Sequence, residues 1–267
     1  SRIYKVKPDS SLVKSIQLVK DGAANAAVSA GNTGALLASS LFLIGIIPGI
    51  RRPAFAPFIP SNRGGFILCD AGANIISKPL HLVQFALMAS AYIEHLENRS
   101  NPRVALLNIG KEEKKGNELT IATYPILKNN IEHFIGNIEA RYLMEGKADV
   151  VICDGFTGNI VLKLTEGIIT HLMEWFLDIF HTHSNNQNLS SEFLSIFKDI
   201  KNTLDHEEHG ATPLLGINGV VMKCHGSSTS RGISNSILAA QKTVESNLIS
   251  NIANRLSKHK DIIKVSN

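Results

Sequence analysis

Aromatic residues are scarce in this 267-residue sequence, at 6% with a single tryptophan, and no tract of lysine and arginine is interleaved with them. A surface on which nucleic-acid bases stack is therefore not expected, and nucleic acid is left out as a partner. Neither sign of charge dominates: 27 Lys and Arg against 23 Asp and Glu leave +4 at pH 7, a mild excess that favours acidic partners. Cysteine is sparse, with Cys69, Cys153 and Cys224 far apart and no C-x-x-C pair. That spacing argues against a disulfide framework and for buried thiols in a reducing compartment, which points to the cytoplasm. Long apolar runs are lacking too. The longest, Ala35 to Ile47, is broken by Ser39 and Ser40 and stopped by Pro48-Gly49, too short to span a bilayer and expected as a core helix. No G-x-G-x-x-G follows a strand pattern, which disfavours a dinucleotide-binding dehydrogenase. Asp205-His206-Glu207-Glu208-His209 holds ligand-type residues, but not at the H-E-x-x-H spacing; it reads as an exposed charged loop, and neither a metal nor a cofactor is expected.

Turns of glycine, asparagine and aspartate, by contrast, recur at the ends of apolar strand patterns. Ala26-Ala27-Val28-Ser29 runs into Gly31-Asn32-Thr33-Gly34; Phe66-Ile67-Leu68-Cys69 into Asp70-Ala71-Gly72-Ala73-Asn74; Val104-Ala105-Leu106-Leu107 into Asn108-Ile109-Gly110; and Val150-Val151-Ile152-Cys153 into Asp154-Gly155-Phe156-Thr157-Gly158-Asn159. An open parallel sheet binds ligands outside the carboxyl ends of its strands, where such turns collect. Glycine allows close approach of the backbone, and helix N-termini offer unpaired N–H groups, so the expected ligand carries phosphate or a developing oxyanion.

Helices alternate with these strands, as in a mostly parallel, covered sheet. Asp9 or Ser10 is placed to cap a helix to Lys20, Pro53 to Ile59 reads as a strand, Pro79 opens a helix to Leu96, and Asn117 to Leu127 another. Ile131 to Ile138 and Gly219 to Cys224 complete the strands, and one last helix is expected from about Ser230 to Leu256. The chain is read as a single α/β domain, 1–267. The rhythm breaks within 160–210, where two consecutive helices predict a projecting hairpin. Its second helix would set Phe193, Leu194, Ile196, Phe197, Ile200 and Leu204 along one side, with Lys198 and Lys201 beside them, as in a helix lying on an anionic membrane surface.

Taken in order, the four turns, Lys78-Pro79-Leu80-His81-Leu82, Lys115-Gly116-Asn117-Glu118-Leu119 and His225-Gly226-Ser227-Ser228 resemble the pattern of the bacterial phosphate acyltransferase family PlsX, from about Ala26 to about Leu238. Members of that family open with a further strand and an Asp-Ala-Met-Gly-Gly-Asp turn that this sequence does not contain. The resemblance implies a three-layer α/β sandwich with a mostly parallel sheet, similar to phosphotransacetylases and isopropylmalate dehydrogenases. It also implies transfer of a fatty acyl group from acyl carrier protein to inorganic phosphate, a homodimer, and peripheral membrane association, for which the hairpin pattern from about Trp175 to Leu204 is the candidate, the alternative being a dimer contact or plain core packing.

Attack of phosphate on a thioester needs cations or N–H donors for the dianion and donors at the carbonyl oxygen, but no activated serine and no metal. Lys115, beside Gly116-Asn117 at a helix start, is the candidate for neutralising phosphate, the alternative being a solvated lysine. Asn159, after Gly158, is the candidate for orienting phosphate or the carbonyl, the alternative being a helix cap. Asn32, Thr33, Gly34, Asn74 and Asn108 divide between ligand contact and turn satisfaction in the same way. Asp70 and Asp154 end strands and are as readily structural as catalytic. Lys78 and His81 open a helix within reach of phosphate, His81 being equally readable as a packed residue, and His225 before Gly226-Ser227 is the best-placed histidine, the alternative being a satisfied core histidine. Arg51, Arg52 and Arg63 are expected to form a basic surface for an acidic carrier near the site mouth. A phosphate acetyl- or butyryltransferase using coenzyme A would share nearly all of this chemistry, and a non-catalytic membrane-recruited scaffold would not need it.

Overall fold

The computed structural model describes residues 3–183, 200 and 210–259. In chain order the described elements are α1 (Ile3–Val6), α2 (Ser11–Lys20), β1 (Ala26–Ser29), α3 (Thr33–Leu43), β2 (Ala54–Phe55), β3 (Phe58–Ser61), β4 (Gly64–Cys69), α4 (Pro79–Leu96) and β5 (Val104–Asn108). There follow α5 (Glu118–Asn130), β6 (Phe134–Glu139), a 3-10 helix (Ala140–Glu145), β7 (Val150–Ile152), α6 (Gly155–His183), β8 (Thr212–Leu215), β9 (Val220–Lys223), α7 (Ser230–Glu245) and α8 (Leu248–Lys258). The second helix of the expected hairpin, with Phe193, Leu194, Ile196, Phe197, Lys198, Lys201 and Leu204, lies outside the described residues, as does Asp205 to His209.

The alternation of strand and helix is present, but the strands divide between two sheets. One has the order β3-β4-β7-β5-β6, with β4, β7, β5 and β6 parallel and β3 antiparallel at the edge. The other has the order β1-β9-β8-β2, in which β1 and β9 are parallel and β8 runs antiparallel to both β9 and β2. The strand expected over Pro53 to Ile59 is two short strands, one per sheet. β2 ends the smaller sheet and β3 begins the larger, so Ala56-Pro57 is where the chain passes between them.

Most of the apolar burial surrounds α4. Leu82, Val83, Phe85, Ala86, Met88, Ala89 and Ile93 are buried, together with Ile67, Leu106 and Ile152 from the larger sheet and Ile252 and Leu256 from α8. A helix apolar around much of its circumference belongs in the interior, which is where the sheet, α5 and α8 put it. Gln84, also buried, spends its amide on the preceding loop, donating to Gly49 O at 2.7 Å and accepting from Arg51 N–H at 2.8 Å. The last predicted helix is broken at Asn247, which adopts the left-handed conformation that asparagine tolerates, and α7 and α8 follow one another across it.

Candidate functional site

Asp70 ties the two sheets together. Its Oδ1 accepts from Phe55 N–H in β2 and from Ala73 N–H, each at 3.0 Å, and its Oδ2 accepts from Asn74 N–H at 2.7 Å and Asn74 Nδ2 at 2.9 Å. The Asn74 amide also donates to Pro53 O at 2.7 Å. Burial pushes the Asp70 carboxyl up, while these donors pull the other way. The Asp70 carboxylate and the N–H groups of Asn74 hold the end of β4 against the edge of the smaller sheet. Beside them, Gly158 in the first turn of α6 rests so closely on the Asp70 carbonyl that a Cβ there would overlap it.

Between the sheets and α6 opens a cleft of about 870 Å³, within the size range of small-molecule sites. Its polar end is made by Gly31, Asn32 and Thr33 after β1, by Lys223, Cys224, His225 and Gly226 at the end of β9, and by Gly72 and Asn159. From there one wall follows Leu162, Ile169, Met173 and Leu177 of α6 and another follows Pro57, Phe58, Ile59 and Pro60. The α6 residues recur at helical spacing, so one stripe of that helix faces the cleft along its length.

Of the residues singled out from sequence, Asn32, Thr33, Asn159, His225 and Gly226 come together in this cleft. The Asn32 side chain caps α3, accepting from Ala35 N–H at 3.0 Å. Asn159 is exposed and its amide makes no hydrogen bond to another described residue, which leaves it available to a ligand; it faces Gly72, where a Cβ would stand 3.5 Å from its Oδ1. His225 Nδ1 accepts from Ser227 N–H at 3.3 Å and lies 2.7 Å from the Ser227 hydroxyl, an arrangement that fixes the proton of a neutral ring on Nε2.

The others are placed differently. Gly34 sits in the first turn of α3. Asp154 caps α6, accepting from Thr157 N–H at 2.9 Å and from its hydroxyl at 2.7 Å. Lys115, Gly116, Asn117 and Asn108 form a loop of their own at the end of β5: the Asn108 amide donates to Lys115 O at 2.9 Å, and Asn117 accepts from Thr120 N–H at 2.9 Å as the cap of α5. Gly116 has a positive φ there and a Cβ would overlap the Asn108 and Thr120 side chains, so glycine is favoured. None of the four lines the cleft. The reason is topological: β5 lies beyond β7 from the sheet junction, whereas the cleft opens beside β4. Lys78 and His81 open α4, with His81 Nδ1 accepting from Lys78 N–H at 3.2 Å. Burial pushes the His81 pKa down, and the charges of Arg52, Lys78 and Arg51 add to it, so these cations gather at the amino end of α4. Arg63 does not join them. It occupies the turn before β4, at the opposite end of that strand, with its side chain against Gly146, which corrects its expected place at the site mouth.

Two lysines in the cleft were missed from sequence. Lys163 extends from α6 and pairs with Glu166 at 2.7 Å. Lys223 ends β9, where its Cα partners are Ser29 and Thr212, and its ammonium donates to Cys224 O. Lys163 is one helical turn after Asn159 and Lys223 two residues before His225, a spacing that could have revealed both. Burial pushes the thiols of Cys69 and Cys153 well up, with the charge of Asp70 adding in each case, so neither is a nucleophile at neutral pH.

Comparison with known proteins bears on this site. The family described as fatty acid synthesis protein matches residues 1–251. This chain belongs to that family. Among its relatives, a protein named phosphate acyltransferase from Halothermothrix orenii is 44% identical over 260 residues, covering 97% of this chain and 78% of the relative. Another of that name from Heliobacterium modesticaldum is 46% identical over 246 residues, covering 92% and 73%. Solved structures of similar fold include a branched-chain phosphotransacylase from Enterococcus faecalis, with TM-score 0.55 at 16% identity over 87% of this chain and 78% of that one. A phosphotransacetylase from Streptococcus pyogenes aligns with TM-score 0.53 at 15% identity, covering 92% and 67%. The family fold is thus the α/β architecture of the phosphotransacetylases.

Proposed function

We propose that this chain is an enzyme that moves a fatty acyl group from acyl carrier protein to inorganic phosphate, forming acyl phosphate for phospholipid synthesis. Acyl transfer to phosphate is what the names of the family's relatives describe. The observation that carries the reading in this chain is a cleft with a polar end of glycine, asparagine and lysine, from which an apolar stripe of Leu162, Ile169, Met173 and Leu177 runs along α6, flanked by Thr165, Glu166, Thr170 and Glu174, with Pro57 to Pro60 as a further wall. A phosphate oxygen attacks the thioester carbonyl carbon at the polar end, the C–S bond breaks, and the thiolate leaves and takes a proton, while the acyl chain lies against the apolar stripe. The Asn159 amide is placed to donate to the carbonyl oxygen as charge develops there.

Arg51, Arg52 and Lys78 at the amino end of α4 offer the acidic carrier its basic surface, on the side where β4 ends. The exposed apolar side chains divide along α6. Phe156, Ile160, Leu164 and Ile168, with Ile75, Ile76 and Ile109 on neighbouring strand-end turns, form a patch suited to a second copy of the chain. Further along, Trp175, Phe176 and Ile179 are exposed and fit a membrane contact. Among the described residues no helix is long and apolar enough to cross a membrane, so that contact is peripheral.

The deciding experiment supplies purified protein with phosphate and either acyl carrier protein bearing a long acyl chain or short-chain acyl-coenzyme A. The expected result is phosphate consumption with the carrier substrate, and a carrier KM that rises with salt as screening weakens the basic surface. Turnover confined to acetyl- or butyryl-coenzyme A would replace the reading with that of a soluble phosphotransacylase.

A further inference from the structure

Lys223 is half-buried at the end of a strand that lies between two others, and no carboxylate pairs with it among the described residues. Lys163, the other lysine on the cleft wall, already has Glu166. An ammonium held at the polar end of an 870 Å³ cleft, with no counter-charge among the described residues, favours the arrival of something anionic. The remaining polar surface there suits such a visitor. The turn Gly31 to Gly34 brings backbone close, and the first N–H groups of α3 have no intrahelical acceptor. His225, whose Nδ1 is engaged by Ser227, stands at the same end of the cleft.

We infer that Lys223, with Lys163 across the cleft, forms the subsite that holds the reacting phosphoryl oxyanion, and that Lys115 has no part in holding it. The inference rests on the acyl-transfer reading of the same cleft but assigns the cation differently. Two further facts agree with it. Burial pushes the Lys223 pKa down, the neighbouring Cys224 opposes this, and the charge of Lys163 lowers it further, so the two ammonium groups feel one another across the space. Lys115 belongs to the loop after β5 and lines no part of the cleft. Two sources could supply the oxyanion: inorganic phosphate, or the phosphodiester of an acyl carrier's prosthetic arm.

The test uses inorganic phosphate as probe, without any acyl donor. Binding to the folded state raises thermal stability by mass action, so the shift in Tm with phosphate at fixed ionic strength gives a Kd. The parent and Lys115→Gln should show the same phosphate-dependent shift. Lys223→Gln should weaken phosphate binding by about tenfold or more, the usual worth of one charge-assisted contact, and Lys163→Gln should weaken it by a smaller factor. A parent with no phosphate-dependent shift, or a Lys223→Gln variant that keeps the parental Kd, overturns the inference. Lys163 is exposed on α6, so if Lys223→Gln does not fold, an unchanged phosphate Kd in Lys163→Gln overturns it instead. Steady-state kinetics then separate the sources. A raised KM for phosphate alone assigns the subsite to the nucleophile, and a raised KM for the carrier as well assigns it to both oxyanions. A raised KM for the carrier alone, with phosphate unaffected, sinks it. A parent that binds phosphate through Lys223 yet transfers no acyl group would leave this subsite standing and remove the proposed reaction.

Discussion

Asp149 shows how much a single partly buried carboxylate can organise. It accepts from Arg103 N–H at 2.8 Å, from Arg103 Nε at 2.9 Å and Nη2 at 3.0 Å, and from Arg99 Nη1 at 3.0 Å. Arg103 and Arg99 reach on to Gly146 O and Gly65 O, so the loops at the amino ends of β4, β5 and β7 meet on this residue. Burial pushes the Asp149 carboxyl up, but the hydrogen bonds and charge of Arg103, with Arg99 helping, outweigh it and hold the group below its usual value. The folded state therefore binds this proton less readily than the unfolded state. The resulting stability is fully present above the ordinary carboxylate pKa of about 3.9 and is lost as pH falls through the lower folded value. Because both arginines keep some contact with water, the expected cost of Asp149→Asn at pH 7 is only about 2 kcal/mol. Urea unfolding at pH 7 and again near pH 3 checks this: the gap between parent and variant should narrow at the lower pH, and an equal gap at both would refute the charge assignment. At the same scale, legibility in the sequence was uneven. Asn32, Asn159 and His225 were identifiable because each belongs to a recognisable turn at a strand end. Asp70 and Asn74 occur in an equally recognisable turn, yet their hydrogen bonds point inward to Phe55 and Pro53, residues far enough away in the chain that no local pattern reports them.

Along α6, neighbouring surfaces have different tasks. Gly158 is inside the helix, where replacement of glycine by alanine ordinarily gains up to about 1 kcal/mol. Here a methyl group would meet the Asp70 carbonyl and the Cys153 thiol, and backbone cannot yield as a flexible side chain does. Gly158→Ala is therefore expected to destabilise by about 2 kcal/mol or more, measured by chemical denaturation; a variant as stable as the parent would show that the contact between α6 and the Asp70 turn is loose. Most elements were foreseeable from apolar period and capping residues, as with Ser10 before α2 and Pro79 at the start of α4. β8 was not, because Thr212-Pro213-Leu214-Leu215 is short and contains a proline, which normally argues against a strand with neighbours on both sides. It is stabilised by pairing with β9 and β2 that only the folded chain provides.

For the whole molecule, the exposed apolar stripe of α6 predicts assembly. Changing Ile160 and Leu164 together to Asp should leave the fold intact, since both are exposed, and should halve the mass in sedimentation equilibrium; a parent that is already monomeric would end the dimer reading. Trp175→Asp should not alter that mass but should reduce sedimentation with anionic vesicles, and undiminished vesicle binding would count against a membrane contact at this end of the helix. The sequence by itself determined the class of architecture, most of the strands and helices, and the family resemblance. Those follow from local periodicity, turn chemistry and motif order, which are properties of short stretches of chain. The tertiary structure decided the division into two sheets, and through it which turns meet. The turn after β1 reaches Asn159 because β1 lies in the smaller sheet, on the far side of the cleft from α6, while the turn after β5 is carried away by one more strand. Lys223 faces Lys163 for the same reason. Proximity across a cleft depends on how sheets pack, and packing is set by burial summed over the whole chain, not by any segment that a local pattern can read.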